Sequence, residues 1–252
     1  LTVQSAATYD IAATTSTVTG ASRVIGTLDI DGSGVFDANG TFNASGNINF
    51  SGAGFLKCMS SVINLGTMNT DAGTVVYDRT DGGTQNVKPG NYYNLTIDGN
   101  ATHQITNSSP FNVAGDLVVN SPATTIFSVN EYDVTVTGTT DINGTLSIST
   151  GTFNADEEFD ATGGNVTFTD AGALVLSNTV TDLGTFTKST STVTYDGADA
   201  QTIDNVTYNN LIIDQNATKT AANNLDVDGN LTLTNSATLS MSGSNYTLDL
   251  EG

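Results

Sequence analysis

Two sets of side chains in this sequence are spaced as groups that do chemistry. The first is a constellation that occurs twice, as Tyr77, Gln85, Tyr92 and Asn94 and again as Tyr195, Gln201, Tyr208 and Asn210. Phenols and carboxamides donate and accept hydrogen bonds without carrying charge. Repeated, they suit either a ligand surface that gains by avidity or hydrogen-bonded ladders between stacked layers, with tyrosines sealing a core edge. The second set is acidic. Asp29-Ile30-Asp31-Gly32 and Asp226-Val227-Asp228-Gly229 place two carboxylates on one side of a strand before a turn, and Asp156, Glu157, Glu158 and Asp160 crowd together. Calcium accepts such oxygens but takes about six to eight of them, and neither an EF-hand loop nor a glycine- and aspartate-rich nonapeptide repeat is present. The expectation is no metal or cofactor site, calcium having the one weak claim, and a solvated turn at Asp156–Asp160.

Catalysis has less to stand on. Cleavage of polysaccharides needs convergent carboxylates, usually beside Arg, Lys or His. The single histidine, His103, has Lys219 as its twin, and both read as exposed polar positions. No G-x-S-x-G, H-E-x-x-H, P-loop or C-x-x-C pattern occurs. No catalytic residue is assigned and no enzyme is expected. Thr-x-Thr pairs such as Thr135/Thr137, Thr167/Thr169 and Thr192/Thr194 would bind ice only if stacked in register, and their intervals are irregular. Cys58 has Leu176 as its twin, which suits a small buried apolar side chain.

These side chains must be positioned by a repeat. Val24, Gly26, Leu28 and Ile30 recur 118 residues later as Ile142, Gly144, Leu146 and Ile148; Tyr92, Asn94 and Asp98 recur at 116 as Tyr208, Asn210 and Asp214; Leu117 recurs at 114 as Leu231. The 252 residues are thus two copies of a roughly 117-residue module, approximately 18–135 and 136–252, read as one continuous solenoid.

A finer beat runs inside each copy, because Gly26, Gly46 and Gly66 stand 20 apart, as do Gly144, Gly164 and Gly184. Short alternating strands at that period predict an all-β fold, a right-handed parallel β-helix with about 20 residues per coil. About 12 coils stacked at roughly 4.8 Å would make a rod of roughly 60 Å. Val134, Val136, Ile142, Leu146 and Ile148 point inward, and Asp-Gly and Asn-Gly pairs turn the corners. Two tandem immunoglobulin-like domains are the alternative all-β fold, which the 20-residue beat disfavours. Asp156–Asp160 and Thr220–Leu225 are too short for helices.

The chain carries 6 Lys and Arg against 26 Asp and Glu, a formal charge of −20. Phosphate backbones repel such a polyanion, so nucleic acid is not an expected partner. No apolar run is long enough to insert in a membrane, and Leu1–Asp10 lacks the regions of a signal peptide. Both ends fall in mid-pattern, which suggests a segment of a longer protein whose further repeats are its nearest partners.

The phrases TVTYDGADAQTI, TYNNLIID and LDVDGNLTL, with their first-copy versions, resemble the β-helical repeats of giant Bacteroidetes cell-surface adhesins, above all those of gliding motility exported by type IX secretion. The resemblance implies an extracellular, extended adhesive fibre that meets surface glycans or other cell-surface proteins. It transfers no catalytic residue. The rival expectations are a carbohydrate-binding or polysaccharide-degrading β-helix and a self-assembling extracellular fibre subunit.

Overall fold

The computed structural model describes residues 1–69, 72–106, 111–241 and 245–251, and every element among them is a β-strand. The strands pair in parallel and stack as a β-solenoid of about 12 turns, roughly 20 residues apart. Immunoglobulin-like domains are sandwiches of antiparallel sheets, so parallel pairing removes that alternative. The short runs Asp156–Asp160 and Thr220–Leu225 form corners and strand ends.

Three faces wind around one core. In the middle of the rod the first face carries Thr84–Val87, Thr102–Ile105, Ile126–Asn130, Thr145–Ile148, Asn165–Phe168 and Thr185–Thr187. The second runs from Gly90–Tyr92 through Val134–Val136, Thr152–Ala155, Ala173–Leu176 and Thr192–Tyr195 to Asn210–Ile213 and Leu231–Leu233. The third runs from Thr15–Val18 through Phe55–Cys58, Thr74–Tyr77, Asn94–Ile97 and Thr140–Ile142 to Val180–Asp182.

Alternation explains the core. In Thr145–Ile148 and Asn165–Phe168 every second side chain is buried, and the in-register ladder sets Leu146 over Val166 and Ile148 over Phe168. The second face builds the column Val134, Phe153, Leu174, Val193 and Leu211 in the same way. One hydrophobic cluster extends from Val3 to Val227. The glycine beat has an equally direct cause. A Cβ on Gly46 would lie 2.0 Å from the Gly26 carbonyl oxygen, and one on Gly164 would lie 2.0 Å from that of Ile142. The coils touch there through backbone alone.

The module and the coil are out of phase. Between Thr74–Tyr77 and its twin Thr192–Tyr195 the chain makes seventeen strand steps, three to a coil, so one module spans five and two-thirds coils. Every feature of the first copy therefore reappears turned by one face. Cys58 lies on the third face and Leu176 on the second, both fully buried.

Burial pushes the Cys58 thiol pKa far up, with the Asp78 and Asp37 carboxylates adding to the effect. Native protein should therefore fail to react with a thiol-titrating disulfide reagent, and one thiol should appear in denaturant; prompt reaction of the native form would contradict this packing.

Candidate functional site

Twice along the rod the ladders on two faces stop and start again. Strand Val62–Met68 pairs, among the described residues, only with Phe42–Phe50 below it. Among the described residues, the next strands around the coil, Thr84–Val87 and Gly90–Tyr92, pair only with those above them, Thr102–Ile105 and Phe111–Val113. Only the third face continues through, as Phe55–Cys58, Thr74–Tyr77 and Asn94–Ile97. In the second copy Val180–Asp182 and Thr185–Thr187 end their ladders, Gln201–Ile203 and Thr207–Tyr208 begin new ones, and the second face continues. A corner loop before Gln85 or Gln201 inserts residues at each break.

The repeated constellation spans these interruptions from inside. Tyr77 and Tyr92 are buried with their hydroxyls 3.2 Å apart; the Lys88 N–H donates to the Tyr77 hydroxyl at 3.0 Å, and the Tyr92 hydroxyl donates to the Lys88 carbonyl. In the second copy the Tyr195 and Tyr208 hydroxyls are 2.9 Å apart, Asp204 N–H donates to Tyr195 at 3.1 Å, and Tyr208 donates to the Asp204 carbonyl at 2.9 Å. Each phenol pair thus holds both backbone groups of one corner residue. Gln85 Nε2 donates to the carbonyls of Cys58 and Ser60 at 2.7 and 2.6 Å, and Gln201 Nε2 to those of Leu176 and Asn178 at 2.8 and 2.5 Å. The half-exposed Asn94 and Asn210 accept, through Oδ1, the N–H of Asp116 at 2.9 Å and of Asn230 at 3.0 Å, one coil on. The tyrosine and glutamine side chains lie inside the coil, and of the eight residues only the two asparagines reach the surface.

His103 and Lys219 correct the sequence reading, which placed them in solvent. Both are fully buried, because each takes the inward position directly above Gln85 or Gln201 in the ladder. Lys219 Nζ donates to the Gly197 carbonyl and, at 2.9 Å, to that of Asp199, so the ammonium ties down the loop at the second break. Burial lowers its pKa, against the pull of Asp196, Asp199 and Asp214. His103 is pushed down to about 4 by burial, against the pull of the Ile126 and Ala101 backbone, and neither ring nitrogen makes a well-aligned hydrogen bond among the described residues. Asp78, which follows Tyr77, is pushed up to about 6, chiefly by burial, with Lys57 opposing and Asp37 and Asp98 reinforcing.

The remaining acidic candidates have ordinary surroundings. Glu157 and Glu158 are exposed at a corner and accept from Asn178 and Thr181. Asp31 accepts from Ser51, Asp226 accepts from Thr207 at 2.9 Å, and Asp228 meets Lys188 at 2.5 Å. Among the described residues no three His, Cys, Asp or Glu side chains gather closely enough to hold a metal ion. The Thr-x-Thr pairs do not build an array coil after coil: Thr167 stands beside Thr187, but Thr135 has Asn112 and Asn154 as its ladder neighbours and Thr194 has Val175 and Ile212.

One feature escapes a search for repeated residues because the residues that form it differ between the copies. At the first break a groove of about 520 Å³ opens between Ile63–Met68 and Lys88–Asn91. The corresponding place in the second copy is bridged by Asp204, whose carboxylate accepts from Leu183 N–H at 2.7 Å. The sequence signal is a run of mismatches, Lys88-Pro89-Gly90-Asn91 against Asp204-Asn205-Val206-Thr207, between the matching Gln85/Gln201 and Tyr92/Tyr208. Compared with known proteins, the chain matches no family model, no curated protein and no solved structure.

The clamps set two expectations. Tyr195→Phe leaves the Asp204 N–H and the Tyr208 hydroxyl short of a partner and should lower stability by about 1–3 kcal/mol in urea unfolding; no change would mean the phenol pair carries no energy. His103 has a folded pKa below its unfolded value near 6.5, so its contribution is complete above that pH and is lost as pH falls towards 4, in total about 3 kcal/mol. Asp78, with a raised folded pKa, works in the opposite direction as pH rises towards 6. The unfolding free energy of wild type minus that of His103→Gln should therefore rise between pH 4 and 6.5, and a flat difference would contradict a neutral buried imidazole.

Proposed function

We propose that the chain is a stiff stalk or adhesive segment of a large extracellular surface adhesin or filament, acting through length, rigidity and repeated weak contacts. The observation that carries this reading is the manner in which the two breaks are bridged. One core passes through both, and each is held by a buried tyrosine pair and a glutamine that replace the missing backbone ladder. The clamps keep a rod straight and stiff where it would otherwise bend, which is a use for a spacer and not for a catalyst.

The phase of the module supports the same reading. Because each copy is turned by one face, successive modules of a longer array would present a given feature on each side of the rod in turn. A fibre with that property meets a surface whichever way it rolls, and weak contacts add through multivalency. The acidic surface, at a net charge of −20, keeps neighbouring rods apart in solution. A polysaccharide-cleaving site has weaker support: the groove at the first break has no carboxylate among its described lining residues, and the concavity of about 220 Å³ that Asp141, Glu158 and Asp160 line with Thr139 and Thr140 has neither a tyrosine nor a basic side chain among its lining.

Gold-labelled antibody against the segment, applied to intact cells that make the protein, tests this function. Labelling along surface fibres is the expected result. Antigen found free in the medium with bare cells would overturn the stalk and adhesin reading.

A further inference from the structure

The two copies serve as internal controls for each other. At the second break Asp204 bridges the gap, with its carboxylate on the Leu183 N–H. At the first break the equivalent residues are Lys88 and Leu65, and an ammonium has no acceptor atom to offer a backbone N–H. In place of an internal carboxylate, the first copy has an open groove with Lys88, Pro89 and Asn91 on one wall and Ile63, Leu65 and Met68 on the other.

The exposed surface of the first copy differs in the same direction, at Ile63 in the groove wall and at three positions outside the lining. Phe55, Met59, Ile63 and Tyr93 are exposed by 36, 36, 57 and 38%, whereas their twins are Ala173, Ser177, Thr181 and Asn209. Four large apolar groups in the first copy thus correspond to four small or polar ones in the second. The lower wall is also strand Val62–Met68, seven residues long, which pairs among the described residues on one edge only.

We infer that the groove is a binding site for an extended peptide segment of another protein, one that lays a carboxylate beside Lys88 and runs along the bare edge of Val62–Met68. The carboxylate takes the place that the Asp204 side chain holds in the second copy, and Lys88 supplies the positive partner on an otherwise acidic chain. The strand edge offers backbone donors and acceptors to a polypeptide, the mode in which a peptide adds a strand to a sheet. Ile63 and Met68 receive its apolar side chains. A glycan fits less well, because the described lining has no aromatic ring to stack on a sugar and no carboxylate to bond its hydroxyls. This inference stands apart from the stalk reading, since the groove binds its peptide whether or not the rod is part of a fibre.

The probe is a fluorescein-labelled hexapeptide, Thr-Ile-Asp-Asn-Val-Thr, which copies residues 202–207 of this chain and carries the bridging aspartate. Anisotropy should show saturable binding to the whole chain. Amide shifts should fall at 65–68, 88, 90 and 91 and spare 183–186. Asn in place of the peptide's Asp should weaken binding at least tenfold. Lys88→Asp, which supplies the carboxylate internally as the second copy does, should weaken it at least tenfold with the unfolding transition retained. Ile63→Thr, copying Thr181, is a milder variant that should also lower affinity if Lys88→Asp fails to fold. Absence of saturable binding, equal binding by Lys88→Asp, or shifts elsewhere would overturn the proposal. Oligogalacturonate that binds the groove more tightly than the peptide would overturn it in favour of an acidic glycan.

Discussion

The in-register parallel ladder between one coil and the next is the constraint on which everything else depends. Side chains alternate along a strand with a period of two, so a slip of one residue would turn an entire inward set outward. Stacked coils extend that penalty along the rod, because a column such as Val134, Phe153, Leu174 and Val193 is built from separate strands that must all agree. The corner glycines fix the agreement. Where coils approach within 2.0 Å of a Cβ position, no other residue fits without moving a carbonyl that itself belongs to the ladder.

An interrupted ladder is therefore the place where such a molecule is most exposed to loss. Leaving a buried backbone group without a partner costs about 1–3 kcal/mol, and each break removes several ladder bonds on two faces. The tyrosine pair meets both polar groups of one corner residue, and a single glutamine amide meets two carbonyls of the coil below. Neutral side chains are suited to this work, because a buried charge needs a second charge or several dipoles to offset its desolvation. Lys219 is the exception that follows the rule, since two loop carbonyls receive its ammonium.

Much of the fold was legible in the sequence because its signals are periodic. The 20-residue glycine beat and the alternation in stretches such as Thr145–Ile148 lead directly to a parallel solenoid. The repeated Tyr, Gln, Tyr and Asn were also legible as a set, but their burial at a break was not, since pairing of distant strands leaves no local mark. His103 and Lys219 show the opposite failure. Parity in Thr102–Ile105 puts His103 in phase with Ile105, and in Thr218–Ala221 it puts Lys219 in phase with Ala221, so both belong inside. Residue type argued for solvent, and the geometry of the strand prevailed. The groove lay beyond a reading that looked for matches between copies, because it arises where Lys88 and Asp204 fail to match.

That mismatch also separates what the fold demands from what the site adds. A bare strand edge invites pairing with another chain, and proteins ordinarily cover it. The second copy places an aspartate across the gap, with the same tyrosine clamp behind it. The opening at Lys88 is consequently not a requirement of the tyrosine clamp, which both copies share. It is set by side chains at a few positions that the coil leaves free to vary, among them Ile63 and Lys88, while the ladder and the clamp keep those positions facing one another. A rigid repeat can in this way carry a site in one copy and a plain surface in the next without any change to the core.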